Sequence, residues 1–210
     1  MVRTRWFLTF GLFLFLAFFL SGCPKRPPAP VIIEKAPFRN PMAKILQAFS
    51  AVDSLEARGS IRIDLTRKGR EMKVALNGVI LYQKPDHLRI LGYHPFGMGV
   101  FDALYKNGEF FLLSPLQKRA YTGEVSEFRD LMEKAGVEVT TETPAGAQIP
   151  NRIEIESTEK EARVDVKLKE ISLNPSLPED SFQWVVPEGV EVRPLAQFLK
   201  VKKSKEDGRR

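Results

Sequence analysis

The chain has a single cysteine, Cys23, among 210 residues, so no internal disulfide can form and any fold must rest on its hydrophobic core. It has only two histidines, His87 and His94, and no Cys, His, Asp or Glu spacing that fits a metal site. A G-x-S-x-G elbow and a phosphate-cradling loop are both missing. Gly97-x-Gly99 is too little for a dinucleotide site, and His94, Asp102 and Ser114 read as ordinary loop and surface residues rather than a triad. These absences argue against an enzyme; no catalytic residue, metal or dissociable cofactor is expected. No basic face is interleaved with aromatics, which argues against a nucleic-acid partner. Only one apolar run is long. It covers residues 6–20, WFLTFGLFLFLAFFL, and falls short of the roughly 20 residues a spanning helix needs.

That run follows Arg3 and Arg5 and ends in small residues, the pattern of a secretory signal peptide. Next comes Leu20-Ser21-Gly22-Cys23, which resembles the lipobox of bacterial lipoproteins. The resemblance implies cleavage before Cys23, a diacylglyceryl group on its thiol, and a membrane anchor without a transmembrane helix. Two or more acyl chains hold a protein firmly where one does not. Pro24 rather than Asp follows Cys23, which fits an outer-membrane destination with the domain facing the periplasm. The expected organisation is a signal peptide over 1–22, a lipidated, proline-rich tether over 23–39, one domain over 40–199 and a basic tail over 200–210. The tether holds Pro24, Pro27, Pro28, Pro30 and Pro37, so an extended spacer is expected. The tail, KVKKSKEDGRR, carries part of the net charge of +6 and reads as disordered.

Within the domain the period of the apolar residues changes twice. Met42, Ile45, Leu46, Phe49 and Val52 recur at helical spacing after the Asn40-Pro41 start signal, predicting a helix over 41–54. Alternation then takes over. Ile61, Ile63 and Leu65 predict a strand over 60–66; Val74, Leu76, Gly78, Ile80 and Tyr82 predict its partner over 73–82. Further strands are expected over 87–92, 99–105, 109–113 and 118–122, with Asn107-Gly108 a hairpin turn. Val125, Phe128, Leu131, Met132 and Ala135 restore a helix over 124–135, ended by Gly136. A loop is expected over 140–150, then strands over 152–157 and 162–173, the latter carrying Val164, Val166 and Leu168. Phe182, Trp184 and Val186 alternate again, as do Val190 and Val192, and a helical turn is expected over 194–199. The fold class is α+β: one curved antiparallel sheet whose apolar face is covered by helices. The inward residues Ile61, Ile63, Leu65, Val74, Leu76, Ile80, Val164 and Val166 either line a cavity or fill a core; sequence treats the two alike. Met42, Met72, Met98 and Met132 suit a varied ligand but are more often plain core.

Two stretches carry a family resemblance. They are Gly78-Val79-Ile80-Leu81-Tyr82-Gln83-Lys84-Pro85-Asp86-His87-Leu88-Arg89-Ile90 and the Pro-x-x-x-Phe-x-Trp-x-x-Pro-x-Gly-Val-x-Val segment over 178–192. With the element order, they resemble the LolA/LolB-like outer-membrane lipoprotein carriers over about 41–192; the lipid anchor points to the LolB-like side. The resemblance implies an incomplete β-barrel lidded by helices, an apolar cavity for the acyl chains of lipoprotein cargo, and placement of that cargo in the outer membrane. It also makes a soluble LolA-like carrier a candidate partner of a monomeric protein. Phe96, in His94-Pro95-Phe96-Gly97-Met98-Gly99, falls where the family places an apolar loop tip, and Met98 is a second candidate. Phe96 either presents that tip or tucks under the sheet. An envelope-assembly lipoprotein that binds a protein partner with the same fold is the alternative.

Overall fold

The computed structural model describes residues 31–36, 41–67, 69–157, 159 and 161–200. The expected signal peptide over 1–22, the expected lipobox residues Leu20, Ser21, Gly22 and Cys23, and the tail from 201 lie outside the described residues. The chain divides after Pro30, and every described residue belongs to the second unit.

In chain order the strands are β1 (Val31–Ala36), β2 (Ser54–Arg67), β3 (Arg70–Gln83), β4 (His87–Tyr93), β5 (Gly99–Lys106) and β6 (Glu109–Ser114). β7 (Arg119–Glu124), β8 (Val137–Pro144), β9 (Arg152–Ser157), β10 (Ala162–Leu173) and β11 (Glu191–Pro194) complete them. The helices are α1 (Pro41–Phe49), α2 (Val125–Lys134) and α3 (Leu195–Lys200). The strands form one sheet in the order β1-β8-β9-β10-β2-β3-β4-β5-β6-β7-β11. Its neighbours are antiparallel except β11, which runs parallel to β7. The fold is α+β, a large curved antiparallel sheet with few helices. β1 and β11 remain separate edges, so the sheet is open.

The β2–β3 hairpin is the spine. Register sets Leu55 opposite Tyr82, Ala57 opposite Ile80, Ile61 opposite Leu76 and Ile63 opposite Val74, so the alternating apolar residues of both strands share one face. α1 turns Met42, Ile45 and Phe49 onto this inner face, and Val52 follows them into the core. Phe49 and Tyr82 meet with ring centroids 5.6 Å apart. α2 leaves β7 and delivers the chain to the far end of the sheet at β8, touching α1, β6, β7 and β8 on the way. α3 adds Leu195, which fills the space a side chain on Gly123 would need. The turn at Asn107-Gly108 takes positive φ at both residues, 53° and 80°, as a tight hairpin requires. A Cβ on Gly59 would lie on the Lys167 carbonyl, so glycine allows the bulge where β10 slips register between Leu168 and Glu170.

Four expectations need correction. Residues 31–36, expected within the tether, form an edge strand on β8, because Val31-Ile32-Ile33 suits a strand once the prolines stop. The first helix ends at Phe49 rather than 54; the Asn174 side-chain carbonyl takes the N–H groups of Asp53 and Ser54 and turns the chain into β2. The loop expected over 140–150 begins with a strand, β8, pairing β1 and β9. The late alternation of Phe182 and Trp184 makes no strand; it crosses the outer face of the sheet as a strap. There Phe182 lies 5.3 Å from His87 and Trp184 lies 5.1 Å from Phe111, between ring centroids. Beneath the strap, Leu104 and Leu113 form a second, smaller apolar layer at 1% and 7% exposure.

Candidate functional site: an inner trough and two exposed turns

The eight inward residues read from the sequence do share one surface. Across β10, β2 and β3, Val166 faces Ile61 and Ile61 faces Leu76; Val164 faces Ile63 and Ile63 faces Val74. Leu65 continues the row toward the hairpin and Ile80 continues it toward α1. Burial along the row is graded. Ile61, Leu76, Ile80 and Val166 are buried under the helices and act as core. Ile63, Leu65, Val74 and Val164 are half-buried, and Met72, opposite Leu65, is half exposed. The inner face is therefore a trough, closed at the α1 end and open toward the β2–β3 and β9–β10 hairpins.

A recess of about 480 Å³ lies at that open end. Leu65, Met72, Ala162 and Ser157 contribute to it, with Asp64, Glu71, Lys73, Glu156, Glu161 and Arg163 among its charged residues. Lys73 pairs with Glu71 at 3.4 Å and Arg163 with Glu154 at 2.6 Å. Burial raises the pKa of Tyr82, at the closed end, and of Tyr105, so both hydroxyls stay neutral.

Phe96 does not tuck under the sheet. It is 86% exposed on the β4–β5 turn, and Met98 beside it is 55% exposed. The turn itself is well tied. The His94 N–H donates to the Met98 carbonyl and the Gly97 N–H to the His94 carbonyl, both at 2.8 Å. His94 Nδ1 accepts from the Phe96 N–H at 3.4 Å, and the two rings sit 5.0 Å apart. His94 thus shapes the turn, while Asp102 gives both carboxylate oxygens to Arg89. The remaining methionines divide: Met42 is core, and Met132 is half-buried. Sequence reading missed Leu116, 66% exposed on the β6–β7 turn. Its signal was an apolar residue inside the Pro115-Leu116-Gln117-Lys118 break between two strands.

Among the described residues no group of three metal-ligating side chains gathers, and no helix is long and apolar enough to cross a membrane.

No protein family matches the chain, and no curated protein does. Solved structures similar to it include an uncharacterized conserved protein from Thermus thermophilus, at 9% identity and a TM-score of 0.45, covering 72% of this chain and 98% of that one. A DUF1329-family protein from Desulfovibrio piger follows at 8% identity and a TM-score of 0.39, covering 68% and 94%. A LolA-superfamily protein from Nitrosomonas europaea stands at 10% identity and a TM-score of 0.39, covering 68% and 97%. Likenesses this distant assign nothing, and the functional reading rests on the chain's own geometry.

Proposed function

We propose that this domain binds acyl chains, of lipoproteins or of other lipids, in its inner trough, and helps to place them in the outer membrane. On this reading lipid on Cys23 stations the domain there, facing the periplasm, and the protein binds without catalysing. One observation carries it: the apolar inner row changes from buried to half-buried along its length, where a finished core would be closed throughout. The apolar residues Phe96 and Met98 sit on the turn that ends β4, beside β3 at the level of Asn77, which suits contact with acyl chains or lipid.

Photocrosslinking in intact membranes tests this directly. Benzoylphenylalanine placed at Val74 faces the trough; placed at Ala75 it faces away. Capture of lipid or lipoprotein from Val74 and not from Ala75 is expected. Equal capture, or none, removes the carrier reading.

The sheet edge supports a second reading, an envelope module that binds a protein partner. Val31, Ile32 and Ile33 on edge strand β1 are 48%, 56% and 65% exposed, and such edges accept an added strand.

A further inference from the structure

The β4–β5 and β6–β7 turns lie at one end of the meander, because β4 to β7 alternate in direction. Two strand spacings separate them, about 10 Å. They are also near neighbours, since a Cβ built on Gly99 would come within 3.9 Å of Pro115 Cγ. Each turn carries exposed apolar side chains, Phe96 and Met98 on one and Leu116 on the other. Both are fixed in shape, the second by a 3-10 turn in which Lys118, at φ 49°, donates its N–H to the Pro115 carbonyl at 3.1 Å.

The charge on these turns has one sign. Neither turn contains an acid, and Lys118 is exposed. The neighbouring acid is Glu191, whose N–H donates to the Lys118 carbonyl and whose carboxylate is held by Arg193 at 2.6 Å. An aromatic and two long apolar side chains beside a solvated cation fit the interface of a bilayer, where apolar groups enter and a cation meets anionic headgroups.

We infer that Leu116 and Lys118 join Phe96 and Met98 in one two-turn docking surface for a bilayer containing anionic lipid. The inference rests on the reading that the domain works at a membrane, and it adds the second turn and the lipid charge.

Position-resolved hydrogen exchange on the full chain tests it, with vesicles of phosphatidylcholine alone or mixed with phosphatidylglycerol. Amides of residues 96–98 and 116–118 are expected to exchange about fivefold more slowly on the mixed vesicles than on the neutral ones, the weight of one cation beside an anionic surface. Lys118→Ala should abolish that difference, and Leu116→Glu should remove protection from both turns, with exchange in β2 and β3 unchanged in either variant. Protection confined to 96–98 overturns the two-turn surface. Equal protection on both vesicle types overturns the anionic preference, and protection at neither turn overturns the surface altogether. Capture from Val74 is read separately, so the trough can stand where this surface falls.

Discussion

Arg89 holds Asp102 by two hydrogen bonds, Nε to Oδ1 at 3.0 Å and Nη2 to Oδ2 at 2.7 Å, and its Nη1 donates to the Ser181 carbonyl at 2.8 Å. A single guanidinium thus joins neighbouring strands β4 and β5 to the strap over the outer face. The two side chains are only 18% and 14% exposed, so neither charge is well hydrated if its partner is removed. Asp102→Ala should lower unfolding free energy by about 2 kcal/mol, the weight of hydrogen bonds to a charged group. Replacing both, Arg89→Met with Asp102→Leu, should recover at least half of that loss, since no orphan charge remains. Urea midpoints of the two variants check the order.

A second ion network predicts an acid limb in stability. Arg152 donates to both Asp165 oxygens at 2.9 and 3.0 Å and to Glu142 at 2.8 Å, linking β8, β9 and β10. Its hydrogen bonds hold the Asp165 pKa below the usual carboxylate value. A carboxylate depressed in the folded state contributes fully above its unfolded pKa and loses that contribution as pH falls through the folded value. The loss should therefore fall below about pH 4. Asp165→Asn should lower stability at pH 7 and flatten the curve in acid. Unfolding free energies from pH 7 to pH 2 test it; an equally steep acid limb in the variant would sink the assignment.

The grading of the inner face has an energetic counterpart. Phe49, at 1% exposure, should cost about 3–5 kcal/mol when changed to Ala, through lost transfer energy and a cavity. Val74→Ala, at the half-buried end of the same face, should cost about 1 kcal/mol or less. Comparable losses at the two positions would show the far end to be packed as tightly as the near one.

His87 presents the reverse case. Both ring nitrogens are shut away from solvent without a hydrogen-bond partner, under the Phe182 ring. Desolvating polar atoms without pairing them is unfavourable, so His87→Leu should stabilise the domain by about 1 kcal/mol. A fall in the thermal midpoint would contradict the geometry.

The β2–β3 spine was legible because its period of two is uninterrupted from Ile61 to Leu65 and from Val74 to Tyr82, and a tight hairpin leaves one register. β8 was harder. Val137, Val139 and Thr141 alternate with Glu138, Thr140 and Glu142, but the threonines blur the contrast and Pro144 and Gly146 draw the eye to a loop. Phe182 and Trp184 misled because their alternation is real while their partners, His87 and Phe111, are remote in sequence and on the opposite face. Composition hid β1 among prolines. In the candidate site, the inner row could be read from alternation. How far each residue is buried could not, since helices from elsewhere in the chain cover only part of that row. Exposure of Phe96 and Leu116 depends on turn geometry, which carries no periodicity.

β3 pairs with β4 only as far as Asn77 opposite Tyr93, so the stretch from Arg70 to Leu76 has β2 as its one neighbour among the described strands. The trough therefore has an open flank as well as an open end. In the proposed carrier role, a long apolar chain would be laid into this channel broadside while its other end stays joined to a bulky body. A closed barrel would instead require the chain to be threaded in tip first.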